Sequence, residues 1–532
     1  MTYYDFDPEI QQVFSSQFGD IPLSDWESWL SLSDREEYED SAIKQSGLPE
    51  ESLSQIETEK TDPRSFSVNV DTFITSHEDS VLVFCHTSGT SGGSIKDLKW
   101  FYMSRELVSL LWAPGMQAIF QKSGLSPQSA AVVFVPSRGS DDGLFHTSGK
   151  KVVKLYSAEV SQRLVLSIMH PGSYLIHEYK DSRTIEVLAE LLTLDRISVV
   201  SAPFLTVLGW ADPERLRWGL EKSLREPVTT VEGEQLRQRI EALGVEAATL
   251  KLREELSQVL SDATLIFSAT AMTEKEWEVI RQFLSWERGE EKVTNLYVGS
   301  EVGPFAANLE RDWKRMHVFP LTIPVIEYRG VRELISQTDH TEGRLLVSRM
   351  HNGKPVINVD TGDVIHVQDQ DGLPVIGGEI LRDSFELKRD VIVSPEMGED
   401  LNIFVGSYFD LGEMKIRNPR LLVECLSQRV GVKGAVVIRV VDNRWEMVVP
   451  AGKKPCSQEI ERLLPLCPGG DVIDEALSRR DLRIRLVEEP MVSEMPRSTL
   501  LTKVRNGELP KGALTKWPLY VVMPSDFPHQ PI

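Results

Sequence analysis

The stretch Val81–Lys99, VLVFCHTSGTSGGSIKDLK, constrains the fold more than any other part of the chain. Val81 to Cys85 is an unbroken β-branched and aromatic run, which predicts a strand buried on both faces of a parallel sheet. From Thr87 to Ser94 every residue is then Gly, Ser or Thr, so the core must end there. Gly89, Gly92 and Gly93 let the backbone turn back on itself, while Thr87, Ser88, Thr90, Ser91 and Ser94 supply hydroxyl donors. With Lys96 or Lys99 adding positive charge, such a loop suits a polyphosphate. It is not a Walker loop, because no Gly-Lys-Ser/Thr closes it, and no G-x-G-x-x-G opens a helix. A plain flexible linker would be flanked by polar sequence rather than by a buried strand.

A chain of 532 residues exceeds one ordinary core, so at least two domains are expected. A net charge of −22 argues against a nucleic-acid partner, whose footprint would be basic. The acidic start, Asp5, Asp7 and Glu9 with no basic n-region, is not expected to act as a signal peptide. No membrane span is expected either, since the most apolar helical stretch, Leu107 to Phe120, is interrupted by Pro114 and Gly115. Cys85, Cys425, Cys456 and Cys467 show neither a zinc pattern nor a disulfide framework. The expected location is the cytoplasm.

In chain order, residues 1–63 read as an outer helical extension, with Trp26, Trp29 and Tyr38 on amphipathic helices and a solvated DREEYED run. A helix is expected over Ser104–Gln121 and a buried strand over Ala131–Val135. The polar turn Pro136–Gly143 follows at a strand's carboxyl end, the edge where open α/β sheets bind ligands. Strands and helices then alternate: a helix capped by Asp181 or Ser182, a strand Ile197–Ala202, a long helical stretch Glu232–Leu260, and a strand Thr264–Ser268. A helix follows with Thr273 and Glu276 as its capping box, then a strand Val293–Val298.

Two further stretches carry candidate chemistry. In Asn295–Pro304, NLYVGSEVGP, Glu301 stands just past a buried strand beside Ser300. A carboxylate there can hold Mg²⁺ that bridges a phosphate. In Asn358–Val364, NVDTGDV, Asp360 and Asp363 flank a Thr-Gly turn between two strands, and an aspartate can accept both hydroxyls of a ribose. Asp-Thr-Gly also opens aspartic-protease sites, but a paired dyad needs a second such turn, which the chain lacks.

Together, in this order, the three stretches resemble the motifs of the adenylate-forming superfamily, which contains acyl-CoA synthetases, peptide-synthetase adenylation domains and luciferases. TSGTSGGSIK, Thr87–Lys96, resembles its phosphate loop; LYVGSEVGP places Tyr297, Ser300 and Glu301 in register with YGxTE; NVDTGD places Asp363 in register with its TGD. The text around Met316–Val318 and Glu342–Met350 looks most like the phenylacetate-CoA ligase and acyl-protein synthetase branch. Val405–Asp410 with Met414–Asn418 resembles the hinge, and Met495–Lys503 resembles PRTxxGK, making Lys503 the candidate catalytic lysine with Lys511 as the second contender. Departures also stand out. No proline precedes Lys96, Val298 replaces a glycine, and Ser407, Phe409 and Asn418 replace hinge residues.

The resemblance implies an α/β fold, with a large N-terminal domain over 1–404 of mixed, largely parallel sheets with flanking helices, and a small mobile α+β lid over 405–532. It implies ATP and Mg²⁺ as cofactors, with coenzyme A as a further one, and a small-molecule carboxylic acid as substrate. The acid would be activated as an acyl-adenylate and passed to CoA, or alternatively to an amine or a carrier protein; a third class is a nucleotide-binding homologue without turnover. Thr87, Ser88, Gly89, Thr90, Ser91, Gly92 and Lys96 would bind phosphates, Tyr297, Ser300 and Asp363 the nucleoside, Glu301 the Mg²⁺, and Lys503 the transition-state charge. His86, Ser268 and Ala269 would line the acyl pocket.

Overall fold

A computed structural model of the chain describes residues 3–23, 40, 43–44, 46–87, 98–139, 141–267, 274–308, 316–319, 321–335, 337–338, 340, 342–370, 373–382, 385–386, 401–405, 408–412, 414–417, 419–430, 432, 436–441, 444–450, 457–467, 470–487 and 519–524. Its backbone is a 13-stranded mixed sheet, and helices pack on that sheet. Six strands run parallel in the order Tyr3–Asp5, Ser173–Glu178, Ala130–Val135, Val199–Ser201, Thr264–Phe267, Val293–Gly299. The sheet then changes direction. Gly303–Ala307, Met316–Val318, Leu373–Arg382, Lys354–Gln370, Glu342–His351, Ile323–Tyr328 and Val331–Leu334 continue it as antiparallel neighbours.

Among the parallel strands, Ala130–Val135 is apolar throughout because both of its faces are covered. Along Ala130–Val135, Val132 and Phe134 join one core while Ala131, Val133 and Val135 join the other. The fold class expected from the sequence is the one observed. Local differences have local causes. The helix after residue 181 is capped by the Thr184 side chain, not by Asp181 or Ser182. The stretch 232–260 is two helices, Val231–Leu243 and Val245–Leu260, parted at Gly244, whose φ of +77° no helix accommodates. Pro114 does not break its helix: a π-helical turn, Val108–Trp112, precedes it, and the proline falls in the first turn of Ala113–Ser123, where its missing N–H is not needed.

The amino-terminal residues depart most from expectation. Tyr3–Asp5 is a strand of the main sheet, and Pro8–Phe18 buries Ile10, Val13, Phe14 and Phe18 in the core rather than lying outside it. Two of their acids, Asp5 and Asp7, are paired rather than solvated. Arg163, fully buried, donates to Asp5 at 3.1 Å and to Glu159 at 2.9 Å. Arg138 donates to Glu159 at 2.6 Å and to Asp7 at 2.7 Å, and Phe6 lies under both guanidinium groups. Trp26, Trp29 and Tyr38 lie outside the described residues.

A second sheet, ordered Trp100–Tyr102, Val81–His86, Lys150–Tyr156, Gly143–Thr147, carries the glycine-rich stretch. Val81–His86 pairs in parallel with Lys150–Tyr156 and antiparallel with Trp100–Tyr102. The glycine-rich loop therefore joins two antiparallel strands, unlike the strand-to-helix link of a Walker loop. A third sheet contains Phe385–Glu386, Leu401–Val405, Leu519–Pro524, Val436–Val441, Arg444–Pro450 and Leu482–Val487, packed with helices around its own apolar cluster. Within that cluster Cys425 and Cys467 are disulfide-bonded, contrary to the sequence reading. They stand 42 residues apart and meet because the helix Pro419–Val430 packs beside the helical segment Ser457–Leu466, a proximity no spacing rule shows. Cys85 is a buried free thiol, its pKa pushed up to about 12 by desolvation and then by the charge of Glu301.

Replacing Arg163 with methionine would leave Asp5 and Glu159 short of a buried counter-charge. The expected loss is about 3–5 kcal/mol, read from urea denaturation midpoints. A loss within ~0.5 kcal/mol would mean that the amino-terminal strand is not held by this network.

Candidate functional site

The strand Val293–Gly299 delivers its carboxyl end to the boundary between the parallel and antiparallel halves of the main sheet. The next residues turn sharply: Gly303 has φ +70°, and a Cβ on Gly299 would come within 2.8 Å of Val302 Cγ2. Ser300 and Glu301 occupy this turn. The Ser300 hydroxyl lies 2.8 Å from that of Ser157, the first residue of the helix Ser157–Met169. Glu301 Oε1 accepts from Lys99 Nζ at 2.7 Å, and both side chains are mostly buried.

That ion pair joins two of the sequence motifs. Lys99 leaves the glycine-rich loop just before Trp100–Tyr102, and its carbonyl accepts the Thr87 N–H at 3.2 Å where the loop begins. Thr87 is itself buried. Ser88, Gly89, Thr90, Ser91, Gly92 and Lys96 lie outside the described residues, as do Ser268, Ala269, Thr273, Ser407, Asn418, Lys503 and Lys511.

A second contact joins the remaining motif. The Tyr297 hydroxyl donates to Asp363 Oδ2 at 2.6 Å, and both residues are buried. Asp363 does not follow a turn between two strands, as expected. Lys354–Gln370 is one strand, and its register against Glu342–His351 slips between Arg344 and Leu346, opposite Val364 and Asp360. The intervening Thr361, Gly362 and Asp363 bulge out, with Gly362 at φ +75°, and a bulge redirects side chains. Thr361 Oγ1 accepts the Asp363 N–H at 3.2 Å. Asp360 plays a different part, accepting from Arg344 at 2.9 Å and from Lys60 at 3.2 Å. Burial works to raise its pKa, but those two cations and the Gly362 N–H hold it below the usual range.

His86 closes the other side of the loop's entrance. Its Nδ1 lies 2.7 Å from the Thr87 carbonyl oxygen and its Nε2 lies 2.8 Å from Asp142 Oδ1, so both ring nitrogens face acceptors. Trp100 and Tyr156 pack on the ring at 4.7 and 5.5 Å. Asp142 belongs to the polar turn 136–143 and also accepts the Gly139 N–H at 2.7 Å. Desolvation pushes its pKa up, yet the His86 hydrogen bond and charge, with help from Gly139 and Arg138, leave it lowered. Sequence reasoning missed Asp142 and Ser157 individually: Ser157 directly follows the strand Lys150–Tyr156 at its carboxyl end, where such sites form, while Asp142 lies in the turn that leads into Gly143–Thr147. Neighbouring His86 and Cys85 point to opposite faces, with Cys85 in the apolar core.

The donor set at the turn is one carboxylate. That fits a Mg²⁺ shared with phosphate oxygens and does not fit an all-protein cage. Among the described residues no group of three or more His, Cys, Asp or Glu could hold a metal, and no helix is long and apolar enough to cross a membrane.

No protein-family model and no curated protein matches the chain. Solved structures do. An amide bond synthetase, McbA from Marinactinospora thermotolerans, is similar at 14% identity and a TM-score of 0.37, over 74% of this chain and 65% of that one. The GH3.15 acyl acid amido synthetase is similar at 13% identity and a TM-score of 0.41, over 97% and 95% of the two chains. The acetoacetyl-CoA synthetase from Streptomyces lividans is similar at 11% identity and a TM-score of 0.42, over 81% and 56%. This chain thus spans less than two thirds of the length of the first and third.

The lowered Asp142 pKa fixes a pH dependence. Its contribution is fully present above the ordinary value of 3.8 and is lost as pH falls through the lower folded-state value. Asp142→Asn should therefore be less stable than wild type near neutrality, and the gap should close on acidification below about pH 4. Denaturation midpoints for both proteins across that range check this; a gap independent of pH would remove Asp142 as the titrating partner.

Proposed function

We propose that the chain activates a small carboxylic acid at the expense of ATP and transfers the acyl group to an acceptor. The observation that carries this reading is the meeting of three stretches distant in sequence: Lys99 from the glycine-rich loop bonds Glu301, and Tyr297 beside Glu301 bonds Asp363. In the first step a carboxylate oxygen bonds to the α-phosphorus of ATP, the bond to the leaving oxygen breaks, and pyrophosphate departs. In the second an acceptor thiol or amine attacks the acyl carbon, releasing AMP and a proton.

Little covalent work falls to the protein, which aligns the reactants and stabilises developing charge. The glycine-rich loop, through Thr87, Ser88, Thr90, Ser91, its backbone N–H groups and Lys96, would cradle the β- and γ-phosphates. Glu301 would hold a Mg²⁺, which neutralises phosphate charge when bound. For that, the Lys99 ammonium must share or yield the carboxylate, so Lys99 is a built-in counter-ion for the turn without nucleotide. Asp363 would accept the ribose hydroxyls, oriented by Tyr297. Lys503, carried by a lid over 405–532, would bridge the carboxylate and the α-phosphate. His86, with Ser268 and Ala269, would face the acyl group.

The leading acceptor is the thiol of coenzyme A. A transfer to an amine or a carrier protein is the second reading, favoured by Phe409, which stands where the family hinge has an acid and is wholly buried in the C-terminal core.

Pyrophosphate exchange into ATP across a panel of acids tests the first step, and adding CoA or amines to the best acid tests the second. Glu301→Gln should raise the Mg²⁺ requirement, and Lys503→Ala should slow exchange by roughly 100- to 1,000-fold. Normal exchange in Lys503→Ala with a defect in Lys511→Ala would move the catalytic role to Lys511. No exchange with any acid, in folded protein, would count against the reading.

A further inference from the structure

Arg349 is fully buried on the strand Glu342–His351, in the antiparallel half of the main sheet. Its Nη1 donates to the carbonyl oxygens of Val302 at 2.5 Å and Pro304 at 3.2 Å, so one arm of the guanidinium is used to hold the turn after Glu301. The other arm is idle: Nε and Nη2 are buried and have no hydrogen-bond partner among the described residues. Two residues on, His351 is also buried, and neither ring nitrogen has a partner there. Phe66 and Phe101 pack against its ring at 4.8 and 5.8 Å.

An unpaired charge in such a place is costly. A guanidinium does not escape by losing its proton, and removing it from water without a counter-charge costs several kcal/mol. Arg163, buried as completely, is compensated by Asp5 and Glu159. Among the described residues nothing comparable faces Arg349, whose ionisation is shifted down by burial alone with no acid acting on it. Nε and Nη2 form one edge of the guanidinium, with two parallel N–H groups spaced to match the two oxygens of a carboxylate. His351, held neutral because burial and then Arg349 push its pKa down to about 4, can add one donor.

We propose that the free edge of Arg349, with His351 beside it, is a buried receptor for one small carboxylate. This proposal does not depend on the adenylation reading. Because Nη1 of the same guanidinium grips Val302 and Pro304, filling the receptor stiffens the turn that carries Glu301.

The test is thermal unfolding of the full chain in HEPES, with sodium formate replacing sodium chloride at constant ionic strength. Wild type should show a saturable rise in Tm of roughly 2–5 °C with formate. Arg349→Lys should weaken it, because a point charge replaces the fork. His351→Phe, which keeps the ring and drops its nitrogens, should also weaken it, and Arg349→Met, where it folds, should abolish it. An equal response to formate and chloride in wild type would overturn the proposal, leaving the edge to solvent water. A formate response unchanged in both Arg349→Lys and His351→Phe would also overturn it, by putting the carboxylate elsewhere.

Discussion

The change of strand direction at Val293–Gly299 is the constraint on which the rest of the structure depends. On one side this strand pairs in parallel with Thr264–Phe267; on the other it pairs antiparallel with Gly303–Ala307. Only a tight reversal can serve both pairings, and that reversal holds Ser300 and Glu301 at the sheet's carboxyl edge. The helix start at Ser157, the Lys99 ammonium and the Arg349 guanidinium then reach the same turn from three directions. A flexible loop could present a carboxylate too, but it could not keep it in a fixed position.

Charge is buried in two ways here. Around Arg138 and Arg163 the cations and carboxylates alternate, so the amino-terminal strand is fastened by pairs that are buried or partly buried. Such pairs add less net stability than their geometry suggests, yet breaking one is costly. Around the turn that carries Glu301 the pairing is incomplete among the described residues: Glu301 has a lysine that a metal could displace, and one edge of Arg349 has no hydrogen-bond partner. Complete pairing fastens, whereas incomplete pairing leaves electrostatic work for a ligand.

How legible this was depended on range. The buried strands Val81–His86 and Ala130–Val135 announce themselves as apolar runs rich in β-branched residues, because both faces are covered and no polar alternation interrupts them. The three site stretches could be read because glycines and hydroxyls abutting an apolar strand have few structural uses. Contacts across the chain left no such mark. Asp5 and Asp7 look like solvated acids until Arg163 and Arg138, more than a hundred residues away, come to meet them. Cys425 and Cys467, the Tyr297–Asp363 bond, and the bulge that aims Asp363 are equally silent in sequence, since each depends on the register or packing of two elements.

The most direct measurement of the central claim follows an oxygen atom. An acid labelled with ¹⁸O in its carboxylate, incubated with the protein, ATP, Mg²⁺ and an acceptor, should yield AMP carrying one ¹⁸O, because the attacking carboxylate oxygen stays on the α-phosphorus when the acyl group leaves. Unlabelled AMP, or ADP with labelled phosphate, would contradict an acyl-adenylate and with it the roles given to Glu301, Asp363 and the glycine-rich loop.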